Sequence, residues 1–463
     1  MDTQSGFGRI KANVKRSKPG RTWRTAVVSL RLSGADYRRA HEACHRAGLY
    51  WTALVDGVHR HWETNHSDPT SQETLHMVAD PELLRLHAHT KQKLVDQFFE
   101  NLATYRTNLK QSMEACAPWR EKRYMPLTFT AGYGWRITPD GRLGMSLGRA
   151  DGRIIVRLPE VADLATGQPI PPEVWGTIKL CWDRQARRWA LHIAVPTDPP
   201  PELDPSNVLA IDEGIINPMT LATETEDAYQ VTVINGRHAR AVKRRRNKAV
   251  AGLQRAKSRT IKRSRKWRQL DRAERRAKAT AAKALRNMDH QVSRQAATMA
   301  QQYDTGKIVV GDVAGIEQNT KRKRSAGRDQ RRRLSQWSRG RQEQYLTQKT
   351  GVKLLKVSES YTSKTCPVCL AHNRPSGRNY QCSTCGFACH RDAVGAINIL
   401  MIAKHGVLTP IDPDKPIRVN YLRATPLKVS ARSKAQNRAT SRHQMGRVAD
   451  LLPASSHPMQ VAA

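Results

Sequence analysis

The chain has 463 residues, and its 79 Lys and Arg stand against 40 Asp and Glu, a formal net charge of +39. A compact body with that excess repels itself unless a polyanion offsets it, which points to nucleic acid in quantity. No apolar run is long enough to span a bilayer, and the basic segments lack the Leu- or Phe-rich face of a membrane-surface helix, so no membrane partner is expected and the location predicted is cytoplasmic.

The length allows about three domains. Residues 1–21 are basic and polar without periodicity, and 22–32 are β-rich, a predicted first strand. From about Asp36 to Cys116 the pattern turns helical, with Pro81 placed to sit in a first turn. Strands are predicted again at 127–135, 143–147, 153–158, 175–182 and 189–195, punctuated by Pro139-Asp-Gly, Asp151-Gly and Asp183-Arg-Gln. The order of strand, helices, strands reads as a β-barrel or sandwich over 1–33 and 122–199, with a helical insertion over 34–121. A Pro-rich linker, 196–205, closes it.

Beyond the linker, 207–212 is a short apolar run ending in Asp212, and 219–223 and 229–234 follow at hairpin spacing. Three strands opening a domain with an acid at a strand end resemble the start of a ribonuclease H-like fold. Residues 237–286 hold 21 Lys and Arg against two acids and no Pro, which predicts a long helix or helical hairpin within 237–303. A solvated helix normally mixes signs to gain from i,i+4 pairs; this one stacks like charges and needs phosphates to offset them. Next come an apolar strand, 307–312, and a basic segment, 318–333, expected to be a mobile lid ordered by nucleic acid. A helix over 337–349 would bury Trp337, Tyr345 and Leu346, and 352–359 would be a further strand.

Cys366-Pro-Val-Cys369 and Cys382-Ser-Thr-Cys385-Gly, twelve residues apart, place four thiolates around one tetrahedral ion, and the spacing points to structural zinc. Cysteines are sparse elsewhere, and five of the eight fall within 366–389, which suits a reduced metal site rather than disulfides. Cys389 lies outside the knuckle spacing, and with the isolated Cys44, Cys116 and Cys181 it is read as packing. His390-Arg-Asp392 then opens a predicted helix to about residue 403. Residues 405–463 read as a flexible basic tail.

In order, Ala-Ile-Asp212-Glu-Gly-Ile-x-Asn-Pro, Ile-Val-Val-Gly-Asp312, Tyr-Thr-Ser-Lys-Thr-Cys366 and His-Arg-Asp392-x-x-Gly-Ala-Ile-Asn398-Ile resemble the split RuvC nuclease of transposon-encoded TnpB proteins and of compact type V CRISPR effectors. The resemblance covers roughly the C-terminal half. It implies an α+β multidomain protein: an N-terminal wedge-like β-barrel with a helical recognition insertion, then a ribonuclease H-like RuvC α/β domain over 200–360 and 390–404. The zinc ribbon, 361–389, would be a target-nucleic-acid-binding insertion. The implied activity is RNA-guided cleavage of double-stranded DNA, with guide RNA pairing to one strand, the protein reading a short flanking motif, and one copy or two acting on one RNA.

Phosphodiester hydrolysis at a two-metal site needs carboxylates that clamp ions about 4 Å apart, and oxygen ligands suit magnesium (or manganese). The fold supplies acids from its first strand, its fourth strand and its last helix; Asp212 matches the first and Asp392 the third. The second departs from the family pattern, because the usual Glu is replaced by Gly311, followed by Asp312. Alternation turns Asp312 to the opposite face. Glu359 ends the next parallel strand and shares a face with Leu355 and Val357, so it can reach the same cluster. The expected catalytic and metal-binding set is Asp212, Glu359 and Asp392, with Asp312, Glu213 and Glu317 as lesser candidates. The ribbon, closed by zinc, would bring Glu359 and Asp392 together. Two functions are carried forward: a nuclease with a relocated glutamate, and an RNA-guided DNA-binding protein that blocks its target without cutting. A basic packaging protein with a zinc clip would account for the charge but not for Asp212 and Asp392 in matched contexts.

Overall fold

Two units, Met1–Pro199 and Pro200–Ala463, make up the chain. The computed structural model describes residues 22–110, 115–162, 168–184, 187–313, 315–316, 327–375 and 377–424.

The first unit begins with β1 (Thr22–Leu30) and four helices: α1 (Gly34–Asn65), α2 (Ser71–His76), α3 (Pro81–Leu84) and α4 (Ala88–Lys110). Local chemistry starts them: the Ser33 side chain accepts from the Asp36 N–H, Thr70 and Glu73 form a capping box, and Pro81 follows the Asp80 cap. Then come β2 (Leu127–Phe129), β3 (Trp135–Ile137), β4 (Leu143–Gly148), β5 (Gly152–Val156), β6 (Ile178–Asp183) and β7 (Arg188–Thr197). Among the described residues the strands of the expected barrel or sandwich pair as two sheets, β1-β7-β6-β2 and β3-β4-β5. Trp51 and Phe98 of the helices belong to the same core as Leu143, Ile178 and Leu191 of the strands, so the helical insertion is not a separately packed body. Cys44 is buried in that core, whereas Cys116 is exposed and has no packing role.

The second unit is built on β8 (Val208–Glu213), β9 (Met219–Glu224) and β10 (Tyr229–Asn235), then α5 (Arg237–Ser258), α6 (Arg265–Gln302) and β11 (Lys307–Asp312). It continues through α7 (Arg328–Ser335), α8 (Arg339–Thr350), β12 (Leu355–Ser358), β13 (Asn379–Gln381), β14 (Ala388–His390), α9 (Arg391–His405) and β15 (Ile417–Arg423). Its sheet runs β12-β11-β8-β9-β10-β15, antiparallel through β8, β9 and β10 and parallel elsewhere. Strand alternation sorts the apolar side chains onto two faces. Leu209, Ile211, Ile308 and Val310 pack with Met288 and Val292 of α6 and Leu346 of α8. Ala210 and Val309 pack with Ala396, Ile397 and Leu400 of α9 on the other side. Burial on both faces explains why these strands are nearly continuous apolar runs.

Two expectations change, and a third resolves to one of its two forms. Residues 405–463 are not all tail: 417–423 pair in parallel with β10, and Ile417 and Val419 pack on the α9 side of the core. Residues 425–463 lie outside the described residues. Of the expected lid, 328–335 form α7, while Glu317 and 318–326 lie outside the described residues. The basic segment is a hairpin of α5 and α6, and its two acids hold it together. Lys257 of α5 reaches across to Asp271 of α6 at 3.0 Å and Glu274 of α6 at 2.7 Å, and Lys278, within α6, reaches Glu274 at 2.6 Å. No described helix is long and apolar enough to cross a membrane.

Candidate functional site: an acid cluster tied to a cysteine ribbon

Strands β8 and β11 lie parallel and adjacent, so their C-terminal ends open on one edge of the sheet. Asp212 follows Val208 and Ala210 onto the α9 face, and Gly311 follows Val309 onto the same face. A Cβ at position 311 would lie 2.8 Å from Glu359 Oε2 and 3.2 Å from Glu359 Cβ. Glu359 therefore leans from the end of β12 into the space a side chain at 311 would fill. The missing side chain and the added carboxylate are complementary. A turn holds Glu359 in place, with the Thr362 N–H and hydroxyl both donating to its carbonyl at 3.1 and 2.9 Å.

Helix α9 supplies the third acid. A Cβ at Gly395 would lie 2.7 Å from Asp212 Oδ2, so only glycine lets the helix come this close to the carboxylate. Asp392, in the first turn of α9, accepts from Asn217 Nδ2 at 2.8 Å and forms an ion pair with Arg378. Burial holds the Asp212 carboxyl well above the usual range, and the charges of Asp392 and Glu359 raise it further. Glu359 is also raised, by burial and then by Asp312, while Arg339 and Lys356 pull it back. The sequence-predicted trio thus converges from β8, the end of β12 and α9, with carboxylates that repel one another. All are hard oxygen donors, and a divalent cation would relieve the repulsion.

The lesser candidates stand elsewhere. Asp312 is exposed opposite Ser358, on the face of Ile308 and Val310. Glu213 faces α8 with its side chain buried, and burial together with the neighbouring Glu343 pushes it up to about 9. It stands on the far side of the strand from Asp212.

The four knuckle thiols have their sulfurs within 4.8 Å of one another. Cys366 and Cys385 are 3.6 Å apart, as are Cys369 and Cys382. A tetrahedron with metal–sulfur bonds of about 2.3 Å has edges of about 3.8 Å, so the set can hold a metal. Each knuckle closes by a backbone bond, Leu370 N–H to Cys366 O at 3.0 Å and Gly386 N–H to Cys382 O at 3.1 Å. Burial alone would raise Cys382, but the backbone N–H groups of Cys385 and Thr384 outweigh it and hold the thiol near 6. Asn373 braces the site, donating to Tyr380 Oη at 2.9 Å and to Cys382 Sγ at 3.5 Å while accepting from the Ser383 N–H. Cys389 is half-buried and packs beside Val368, as expected of a thiol outside the knuckles.

The ribbon is bolted to the acid cluster at both ends. Asn398 of α9, fully buried, donates to Thr362 O at 2.6 Å and Thr365 O at 2.8 Å, clamping the segment that follows Glu359. At the other end the Arg391 N–H donates to Arg378 O at 2.7 Å, which places the Arg378 side chain beside Asp392.

Residues 340–399 match the family described as Cas12f1-like, TNB domain, and residues 191–317 match the probable transposase family OrfB_IS605. A TnpB-like protein of Methanocaldococcus jannaschii is 29% identical over 114 residues, covering 24% of this chain and 40% of that protein. Cas12f1, solved as a complex with sgRNA and target DNA, shares the fold at a TM-score of 0.52 and 13% identity, over 79% of this chain and 82% of that one. Two segments of the chain are thus similar to TnpB-type transposon proteins and to the type V effectors.

The sequence motifs also hold neighbours of the acids. Asn217 lies in the Ile-x-Asn-Pro stretch and Gly395 in His-Arg-Asp-x-x-Gly, yet neither was singled out as a neighbour of the acids. Arg378 carried no usable signal, because one Arg among 79 Lys and Arg is invisible without its partner. Asn373 sits between the knuckles, where only the folded ribbon brings it onto Cys382.

Proposed function

We propose that this chain is an RNA-guided DNA endonuclease of the ribonuclease H-like, RuvC type, whose second carboxylate has moved from the fourth strand of the sheet to Glu359, just past the fifth. The carrying observation is that Glu359 Oε2 occupies the space over Gly311 on the Asp212 face. The strand order of the second unit is consistent with that fold, and the first unit would serve as the wedge and recognition region. Guide RNA and target DNA are the partners named for the solved relative, and the exposed cations of α5 and α6 suit both. The ribbon would carry zinc as a structural ion.

Asp212, Glu359 and Asp392 would hold magnesium or manganese, which when bound activates water and stabilises charge on the leaving oxygen. The chain's own part is to position these ligands. Gly395 and α9 fix Asp212, the 359–362 turn fixes Glu359, and Asn217 with Arg378 orients Asp392. Asp212 and Glu359 must shed their protons to bind a cation, so metal affinity should rise with pH through their raised values.

A target plasmid incubated with the protein, its cognate RNA and magnesium should yield nicked or linear product. Glu359→Gln should lower the cleavage rate about a hundredfold or more with target binding intact, and Asp312→Asn should leave it within about twofold. Loss in Asp312→Asn without loss in Glu359→Gln would overturn the relocated glutamate. Tight target binding by the wild-type protein with no product would overturn the nuclease.

A further inference from the structure

The structure assigns a nucleobase-stacking site to the turn between β2 and β3: Tyr133 ends a stair of three aromatic rings, and its bare outer face takes one unpaired base of the guide RNA, with Lys91 and Arg153 offsetting the flanking phosphates. This rests on the RNA-guided reading above and adds to it a named contact within the first unit.

Geometry sets Tyr133 apart from an ordinary surface tyrosine. It is 71% exposed, more than any other described aromatic residue, yet one face of its ring is covered. The His89 ring lies on that face with centroids 4.6 Å apart and planes 26° from parallel. His87 continues behind His89 at 5.6 Å, again at 26°. These are the spacings of offset-stacked rings. The half-buried His87 closes the stair at one end, and at the other end the stack stops on a ring with nothing above it.

Both supports of the stair are held by the backbone. In the turn that carries Tyr133, the Gly132 N–H donates to Trp135 O at 3.0 Å, and the Gly134 and Trp135 N–H groups donate to Thr130 O at 2.8 and 3.0 Å. Gly132 takes a φ of 79°, and a Cβ at Gly134 would lie 2.7 Å from Thr130 N, so glycine on each side lets the chain turn this tightly. Opposite, the His87 N–H donates to Leu147 O at 3.2 Å, and its carbonyl accepts from Thr90 and Lys91 at the start of α4. A ring already fixed in place loses little freedom when a base lands on it, so more of the stacking energy appears as affinity.

The charges around the stair have one sign. Burial pushes His87 down first, and His89, Arg153 and Lys91 add to it. Among the described residues neither Arg153 nor Lys91 forms an ion pair. Asp151, two residues before Arg153, is already taken by Arg46 at 2.5 Å and Arg85 at 2.9 Å. An open ring flanked by uncompensated cations is what single-stranded nucleic acid requires, a platform for a base and positive charge for its backbone. An aromatic side chain of another protein could cover the ring but would leave the cations unbalanced. A base within a duplex has both faces covered by its neighbours, so the base that stacks here is unpaired. Target DNA offers no bare base until a guide already in place has opened it, which makes the guide RNA the occupant.

The test is chemical probing of the RNA that purifies with the full-length protein. A reagent that acylates the 2′-hydroxyl of mobile nucleotides is applied to complexes of the wild type, Tyr133→Phe and Tyr133→Ala, and the modified positions are mapped by reverse transcription. One unpaired nucleotide should be protected in the wild type and in Tyr133→Phe, which keeps the ring. In Tyr133→Ala its reactivity should rise about fivefold or more, the least expected from loss of one stacked base. Tyr133 is exposed, so neither change removes core packing, and thermal melts matching the wild type verify this. The proposal is overturned if no nucleotide differs between the wild type and Tyr133→Ala, or if Tyr133→Phe behaves like Tyr133→Ala. A second arm probes the complex with target duplex in EDTA, using permanganate to oxidise unstacked thymines. A thymine newly reactive in Tyr133→Ala with the RNA unchanged would make the occupant DNA and overturn the guide assignment. Protein that carries no RNA at all would refute RNA guidance and the stair with it, whereas bound RNA of unchanged reactivity refutes the stair alone.

Discussion

At the scale of single residues, two glycines decide where the carboxylates can be. Gly311 leaves the room that Glu359 enters, and Gly395 leaves the room in which Asp212 lies against α9. The first relation was legible in the sequence, because strand parity alone puts 355, 357 and 359 on one face and sends Asp312 to the other. The second was not, because nothing local to residue 395 reveals that a carboxylate from another strand will press on it. It carries a clean prediction. In Gly395→Ala the new Cβ would sit 2.7 Å from Asp212 Oδ2, closer than real contacts allow, and the acid must shift. Displacements of about 1 Å at a reacting centre cost on the order of a hundredfold in rate. Cleavage by the alanine variant should fall by about that factor while target binding, measured by titration in EDTA, stays within about twofold. Wild-type cleavage by this variant would mean that α9 does not set the position of Asp212.

At the scale of elements, what could be read in advance followed the range of the signal. The cysteine knuckles and the strands of the second unit were legible because spacing and apolar runs are local. Strand β15 was missed although Ile417, Val419 and Tyr421 alternate with Arg418 and Asn420, because the run is short and its partner, β10, is far away in the chain. The pairing of β1 with β7, which encloses the helices between them, is likewise set by distant contacts. The ribbon is the element on which the site most depends, because Glu359 precedes it and Asp392 follows it. Removing its metal with a chelator should expose 361–389 to rapid hydrogen exchange and abolish cleavage, and adding zinc back should restore both. Protection of the ribbon that survives metal removal would contradict the structural role.

The contact between α6 and α8 makes a separate prediction. His290 and Tyr345 stack with ring centroids 3.8 Å apart, and burial, with Lys349 adding to it, pushes His290 down to about 4. The folded state therefore prefers the neutral ring. Its contribution to stability is present above the unfolded value of about 6.5 and is lost as the pH falls through about 4. Melting temperature should drop over that window, and His290→Gln should show a shallower drop. Equal slopes for the two proteins would remove His290 as the cause.

At the scale of the whole molecule, a net charge of +39 is too large to be internal bookkeeping, and the α5–α6 hairpin shows where part of it goes. Its two acids are consumed by Lys257 across the hairpin and by Arg275 and Lys278 within α6, which leaves Arg255, Arg259 and Lys262 exposed around its tip. If that surface binds the RNA backbone, each contact displaces counterions and adds about 0.7 to 0.9 to the salt dependence of the binding constant. Changing all three residues to Gln should therefore flatten the slope of log affinity against log salt by about 2 and weaken RNA binding most at low salt, while the acid cluster and the ribbon, which these side chains do not touch, keep their structure. A titration of guide RNA across a range of potassium chloride concentrations reads the slope directly. An unchanged slope would place the hairpin tip in solvent and move the electrostatic contact to another surface.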